Sequence, residues 1–282
     1  MAIRMDSGIV KDLKRRALET RIDILKMLCE AGSGHTGGSL SVVETLVALY
    51  FNKMRYRSDD PGWPDRDRLV LSKGHGAPAL YSVLCRAGFF PEEELGRLRK
   101  LGGILQGHPE SRLTPGVEVC TGSLGQGLSQ ANGIALALKL DGRSSRVYTV
   151  MGDGEIQEGQ VWEAAMTSSH YMLDNLCAFL DHNKLQIDGP VEQVMSIFPV
   201  REKWEGFGWH AEEINGHDFE AISGALERAE RVKDQPCIII ANTLKGKGVS
   251  FMEDKVEYHG VAPTEEELER ALAELGEAKL KL

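Results

Sequence analysis

The sequence predicts a doubly wound α/β domain, a mainly parallel sheet with helices on both faces. Three observations lead there. Short apolar runs of strand type alternate along the chain with longer segments of helical period. The strongest run, residues 237–242, is apolar on both faces, as a strand covered on both sides must be. No repeat, low-complexity tract or interdomain linker interrupts the 282 residues, which suffice for one large core without metals or disulfides.

Residues 9–30 set charges against Leu, Ile and Met at helical spacing, and Ala31-Gly32-Ser33-Gly34 ends that helix. Ser39 is placed to cap a second helix over 41–53. Pro61 and Pro64 make 59–67 a loop, and 68–72 is strand-like. Helices over 78–87 and 91–100 lead into 102–122, a long stretch rich in Gly and Pro and without period. A loop of that length inside a compact domain is ordinarily functional or disordered. Residues 124–140 form a helix of small side chains able to lie close on a sheet. Strands at 147–151 and 176–180 bracket a helix at 158–169. A loop at 184–197, a helix at 199–206, a strand at 209–214 and a helix at 218–232 precede the strand 237–242. From Thr264 a capping box with Glu267 opens an amphipathic helix that runs to Leu282.

Hydrophobic content of 42% and charged content of 27% are those of an ordinary globular protein. A formal charge of −9 argues against nucleic acid or an anionic membrane as the main partner, but says nothing of a small anion held locally. No stretch nears the ~20 apolar residues of a membrane helix, and the N-terminus has no signal-type apolar region, so a cytoplasmic location is expected. The five cysteines (Cys29, Cys85, Cys120, Cys177, Cys237) are odd in number and form no C-x-x-C pair, which reads as buried free thiols in a reducing compartment.

Gly152-Asp153-Gly154, with Asn183 thirty residues on, is the most informative feature. Asp153 stands at the end of one strand and Asp181-His182-Asn183 at the end of another, each presenting an oxygen donor. Glycines let the backbone come close, a geometry suited to a magnesium ion holding a diphosphate. Glu155, Glu158 and Glu163 follow and read as surface helix charges. Four histidines adjoin glycine, in Gly34-His35, Gly74-His75-Gly76, Gly107-His108 and His259-Gly260. Flexible backbone beside an imidazole exposes it at a loop, where it can meet a ligand. His170, His182, His210 and His217 read as structural. No two histidines have short metal-ligand spacing and no cysteine lies near them, which argues against zinc. Thr121-Gly122-Ser123-Leu124-Gly125-Gln126-Gly127 precedes a helix whose amides favour anions, though it matches neither the Walker pattern nor G-x-G-x-x-G. Lys245-Gly246-Lys247-Gly248 follows the strongest strand and can hold phosphate. Taken singly, each of these features has an ordinary structural reading as well.

In this order, the segments resemble the N-terminal, thiamine-diphosphate-binding part of transketolase. The resemblance rests on Gly32-Ser33-Gly34-His35, Ser72-Lys73-Gly74-His75, Gly107-His108-Pro109-Glu110, the run from Thr121 to Gly127, Gly152-Asp153-Gly154 through Asn183, and Lys245 through His259-Gly260. It spans nearly the whole chain and implies the thiamine-diphosphate-binding fold, as one diphosphate-type domain over 1–282. It implies a magnesium ion, with Ca2+ or Mn2+ able to stand in its place, ligated by Asp153, Asn183 and the Leu185 carbonyl. By the same resemblance Gly122, Ser123, Leu124, Gly154 and Asn183 contact the cofactor, and His75 and Lys245 lie near its diphosphate. His35, His108 and His259 match histidines that contact the sugar phosphate, with His35 and His259 the candidates for acid–base work. Glu158 and Glu163 resemble acids at an interface between two copies of the chain. Three residues after the first histidine some family members use a serine for the cofactor; Gly38 stands there in this chain, and amides of Gly37-Gly38-Ser39-Leu40 are candidates instead.

The activity so implied is transfer of a two-carbon ketol unit from a ketose phosphate to an aldose phosphate. In that family a glutamate on a following pyrimidine-binding domain activates the cofactor, and this chain ends at Leu282, ahead of any such domain. The expectation is an N-terminal subunit of a split transketolase, active only with a C-terminal partner subunit and assembled as two copies of each. The α subunit of a 2-oxoacid dehydrogenase and a 1-deoxyxylulose-5-phosphate synthase-like enzyme share the aspartate–asparagine spacing but explain the histidines less well. A transketolase for a specialised sugar stays open. The retained histidines argue against a non-catalytic cofactor-binding subunit.

Overall fold

The computed structural model describes residues 5–282. Asp6 caps the first helix, α1 (Ser7–Ala31), by accepting the Gly8 and Ile9 amides, and Gly32 ends it at φ 62°. The second expected helix, over 41–53, forms as α3 (Val43–Ala48) and a π-turn at Leu49–Lys53, and a short helix not expected from the sequence, α2 (Thr36–Leu40), precedes it. Ser39 lies inside α2 and is no cap; its hydroxyl donates to the His35 carbonyl at 2.6 Å. Next come β1 (Arg68–Leu71) and α4 (Ala77–Arg86). The helix expected at 91–100 is only a 3₁₀ turn, Glu92–Arg97, with Gly96 inside it.

Beyond the long loop follow α5 (Gln126–Leu140), β2 (Val147–Gly152), α6 (Gly159–His170) and β3 (Leu176–His182). The expected loop at 184–197 holds a small hairpin, β4 (Leu185–Gln186) with β5 (Gly189–Pro190), and one helical turn, α7 (Val191–Val194). Strands of two residues leave no alternating pattern to read. The chain closes with α8 (Val200–Gly206), β6 (His210–Asn215), α9 (Phe219–Arg231), β7 (Cys237–Asn242) and α10 (Glu265–Leu280). Thr264 and Glu267 form the expected capping box at the start of α10.

The main sheet is wholly parallel in the order β1-β2-β3-β7-β6. From β1 to β3 the chain advances one place at a time through α5 and α6, which pack on one face. After β3 it crosses to the edge at β6 and steps back to β7, so a right-handed α9 crossover falls on the opposite face. Side chains of each strand divide between two cores. Cys177, Phe179 and Ile239 join the core of α1, α3, α4 and α9. Leu176, Ala178, Leu180 and Ile238 join that of α5, α6 and α8. The expected doubly wound sheet, covered on both sides, is what forms.

The loop at 102–122 has no regular structure, yet it is pinned. Tyr81 Oη lies 2.9 Å from the carbonyls of Gln106 and His108. Thr114 Oγ1 donates to the Ile104 carbonyl at 2.6 Å, and Thr121 Oγ1 to the Leu71 carbonyl at 2.8 Å. That pinning delivers His108 and Gly122 to the end of β1. Of the cysteines, Cys177 and Cys237 are buried, whereas Cys120 is exposed, contrary to the expectation of burial. Among the described residues no helix is long and apolar enough to cross a membrane.

Candidate active site

Parallel strands deliver all their carboxyl ends to one edge, and a ligand crevice is expected where the strand progression reverses. A cleft of about 350 Å³ opens there, beyond β2, β3 and β7. Its wall includes His35, His75, His108 and His259, together with Asp153, Asn183 and Leu185. Residues separated by more than two hundred positions in the chain thus share one cavity.

Register explains the oxygen donors. Gly152 of β2 pairs with Asp181 of β3, so Asp153 and Asn183 leave neighbouring strands side by side. Asp153 is 2% exposed. Its Oδ1 accepts the Gly154 amide at 2.9 Å, and its Oδ2 accepts the Lys184 amide at 2.5 Å. Asn183 Oδ1 accepts the Leu185 amide at 3.1 Å, and its Nδ2 donates to Asp181 Oδ2 at 3.1 Å.

Asp181 anchors this floor. Its carboxylate pairs with the buried Lys73 ammonium and also accepts from Ser41 at 2.7 Å and Thr243 at 2.5 Å. Burial opposes its ionisation, but Lys73 and these hydrogen bonds outweigh that and hold the carboxyl below its ordinary range. Lys73 also donates to the Gly38 carbonyl at 2.9 Å. Gly37 offers its carbonyl to the Gly246 amide at 3.0 Å. The Gly37-Gly38 pair therefore holds neighbouring loops through its carbonyls.

The four glycine-flanked histidines form one cluster. Ring centroids lie 5.3 Å apart for His35 and His75, 5.6 Å for His35 and His259, and 6.4 Å for His35 and His108. Burial, with nearby cationic groups, lowers His35 to about 4 and His259 to about 3, and pushes His75 well below the ordinary imidazole value. His108 is lowered by burial and by Arg99. All four are neutral at pH 7 and so able to accept a proton. Lys245 Nζ donates to His259 Nδ1 at 2.6 Å and lies 3.4 Å from the Leu185 carbonyl. Burial and Lys73 lower Lys245 to about 8, against the pull of Asp153 and Asp181.

Glycines give the cleft its close walls. Gly122 has φ 139°, and a Cβ there would lie 3.0 Å from the His108 ring. A Cβ on Gly74 would lie 2.7 Å from the Gly122 nitrogen. Glu155, read from the sequence as a surface charge, is 1% exposed and belongs to this wall. It accepts from Ser72 and from the Gly125 and Gly152 amides, both at 3.0 Å, so it joins the start of α5 to the end of β2. Burial raises its carboxyl above the ordinary value.

Residues 14–280 match the family described as transketolase, thiamine diphosphate binding domain. The chain belongs to the transketolase family. Over 264 residues it is 48% identical to the 6-deoxy-6-sulfo-D-fructose transketolase subunit SqwG of a Clostridium species, covering 94% of this chain and 96% of that protein. It is 42% identical to an apulose-4-phosphate transketolase subunit of Phocaeicola vulgatus, over 97% of each. Among solved structures, transketolase from Campylobacter jejuni superposes with a TM-score of 0.90 at 34% identity, over 96% of this chain and 43% of that one. The Pichia stipitis transketolase complex with sedoheptulose-7-phosphate gives 0.90 at 33% identity, over 95% of this chain and 41% of that one. The chain thus spans about two fifths of those solved transketolases and nearly all of the relatives named as subunits.

Of the transketolase positions read from the sequence, Gly122, Leu124 and Gly154 line the cleft with Asp153, Asn183, Leu185 and the four histidines. Ser123 stands between two lining residues and accepts from Gln126 at 3.2 Å, while Lys245 sits behind His259. Lys247 turns away to Glu253, at 3.2 Å. Glu158 lies at the cleft mouth, and Glu163 lines a separate groove between α5 and α6; both are exposed. The sequence reading gave no role to Lys73 or Asp181, although both lie inside quoted motifs, nor to Gln157 and Gln186, whose side chains meet at 2.7 Å.

The cleft suits an anionic cofactor. Buried Lys73 and four neutral imidazoles line it, Lys245 stands behind His259, and His35 Nδ1 is buried without a hydrogen-bond partner. Among the described residues no three His, Cys, Asp or Glu side chains can hold a metal by themselves. A hard cation bridged by diphosphate needs fewer protein ligands, because phosphate oxygens and water fill the remaining positions.

Proposed function

We propose that this chain is the N-terminal subunit of a two-chain transketolase that moves a ketol unit between sugar phosphates and works only with a C-terminal subunit. One observation carries the reading: the oxygen donors of β2 and β3 and four neutral imidazoles converge on a single cleft at the topological switch point. Relatives matched over nearly their whole length are named as transketolase subunits, which supports a partner chain. In this reading Asp153, Asn183 and the Leu185 carbonyl hold magnesium. Gly122, Ser123, Leu124 and Gly154 bring backbone against the cofactor, and His75 and Lys245 supply donors to its diphosphate. Thiamine diphosphate, when bound, supplies the reactive carbon that carries the two-carbon unit.

Protein groups do the rest. His35, neutral at pH 7, takes and returns hydroxyl protons of the sugar, and His108 holds donor hydroxyls. His259, whose Nδ1 accepts from Lys245, works from its Nε2–H as the acid, with Lys245 able to resupply the ring through Nδ1. Glu158 and Glu163 lie on the exposed face proposed to meet a second copy of the chain, giving two copies of each subunit. The two relatives named for 6-deoxy-6-sulfo-D-fructose and apulose-4-phosphate favour a donor more specialised than the common pentose phosphates.

The test is ketol transfer assayed with this chain, with its C-terminal partner, and with both, offering ketose phosphates, a sulfonated ketose and pyruvate. Activity only in the mixture and only with a ketose donor is expected. Full activity of this chain alone would refute the two-chain reading, and turnover of pyruvate would transfer it to the oxoacid enzymes.

A further inference from the structure

Lys245 is 1% exposed, yet it sits in residues 244–247, which belong to neither helix nor strand. Both ends of that turn are tied to one carboxylate. Glu44 on α3 accepts from Arg21 Nη2 of α1 at 2.7 and 2.9 Å, and its Oε2 lies 3.0 Å from His217 Nδ1. His217 Nε2 accepts the Leu244 amide at 2.8 Å, at the front of the turn. Arg21 Nε donates to the Lys247 carbonyl at 2.7 Å, at its back. Because Nε2 accepts, the ring proton sits on Nδ1 and points at Glu44, which fixes the tautomer. Burial opposes ionisation of Glu44, but Arg21 and the hydrogen bond from His217 hold its carboxyl below the ordinary value.

Local sequence makes the approach feasible. His217 lies in the connection from β6 to α9, directly after Gly216. A Cβ at Gly216 would lie 2.5 Å from Thr243 Cγ2, so only glycine lets this connection reach the strand end that leads to Lys245.

We infer that His217 is a positioning residue for Lys245, with Arg21, Glu44 and His217 clamping both ends of the 244–247 turn. The clamp keeps the buried ammonium against His259 and the Leu185 carbonyl. The inference rests on the proposed role of Lys245 at the cofactor diphosphate. His217 touches neither the cleft wall nor any proposed substrate position, so its effect must pass through the turn.

Two measurements test it. The first is hydrogen–deuterium exchange of the full chain without cofactor. His217→Ala and Glu44→Gln should speed exchange in 244–249 while β7 stays protected, and unchanged exchange there overturns the clamp. The second is calorimetry of thiamine diphosphate with Mg2+ on the chain with its C-terminal subunit, for His217→Ala, Lys245→Ala and the double variant. His217→Ala should weaken binding about tenfold, and the double variant should match Lys245→Ala alone. His217→Gln, which can both accept and donate, should restore most of the affinity. Losses that add in the double variant, or an unaffected His217→Ala, overturn the positioning role. If the wild type binds no thiamine diphosphate, the cofactor reading fails instead, and the exchange result alone decides the clamp.

Discussion

Asp181→Asn removes one buried charge while keeping its volume. Asp181 is 2% exposed, and its two oxygens accept from Lys73, Ser41, Asn183 and Thr243. An amide NH2 in place of Oδ2 sets donor against donor at Lys73 and Asn183, and the other orientation still removes the charge opposite Lys73. Lys73, 1% exposed, would be left with neutral acceptors alone, the Gly38 carbonyl among them. Breaking a buried pair by removing one partner costs about 3–5 kcal/mol. A chain of this size loses roughly 2–4 °C per kcal/mol, so scanning calorimetry should show Tm lower by roughly 6–20 °C. The pH dependence has a definite sign. Folding depresses the Asp181 carboxyl below its model-compound value of 3.8, so the stability it contributes is present above that value. It is lost as pH falls through the folded value. The gap between wild type and variant should therefore hold from pH 8 to about 5 and narrow below about 4. A loss under about 1 kcal/mol at pH 7, or a gap that persists undiminished at pH 3, would refute the buried-pair argument.

Gly127→Ala would place a Cβ 2.3 Å from Ser72 Oγ and 2.7 Å from Ser72 Cα, pushing α5 off the end of β1. A cost of about 1–3 kcal/mol is expected, read as a lowered Tm, and wild-type stability would contradict the packing. His35→Ala and His259→Ala should each lower kcat by about 10²–10⁴-fold with little change in cofactor affinity. Equal weakening of both quantities would assign them to binding. Lys245 loses its charge as pH rises through about 8, so thiamine diphosphate affinity should fall between pH 7 and about 9. Lys245→Arg keeps the charge and should flatten that slope; an unchanged slope would place the titration elsewhere.

Legibility in the sequence followed the range of the signal. The two-faced apolar strands and long amphipathic helices announced the layered sheet, because burial on both sides leaves a pattern that a sequence window can show. Short elements left no such pattern. The π-turn after α3, the 3₁₀ turn at Glu92–Arg97 and the β4–β5 hairpin are too brief for a period to emerge. Asp153 and Asn183 were legible because glycines and strand ends mark them locally. The buried role of Glu155 is not legible in the sequence because its partners, Ser72 and Gly125, arrive only through tertiary packing. Asp181 and Lys73 lie inside motifs that the sequence displays, yet neither motif carries a sign of their pairing across 108 residues. His217 shows the same limit, since its importance lies in Glu44 and Leu244, on separate elements.

In the proposed function the ends of β2 and β3 clasp a magnesium diphosphate. Calorimetry of thiamine diphosphate binding in the presence of the C-terminal subunit, with and without Mg2+, compares wild type with Asp153→Ala most directly. Outer-shell partners of a metal typically cost roughly 10–100-fold in affinity, so loss of a direct ligand should exceed about 100-fold. Tight, magnesium-dependent binding by the wild type and that loss in the variant are expected. Equal affinity of Asp153→Ala and wild type, or binding indifferent to Mg2+, would contradict it.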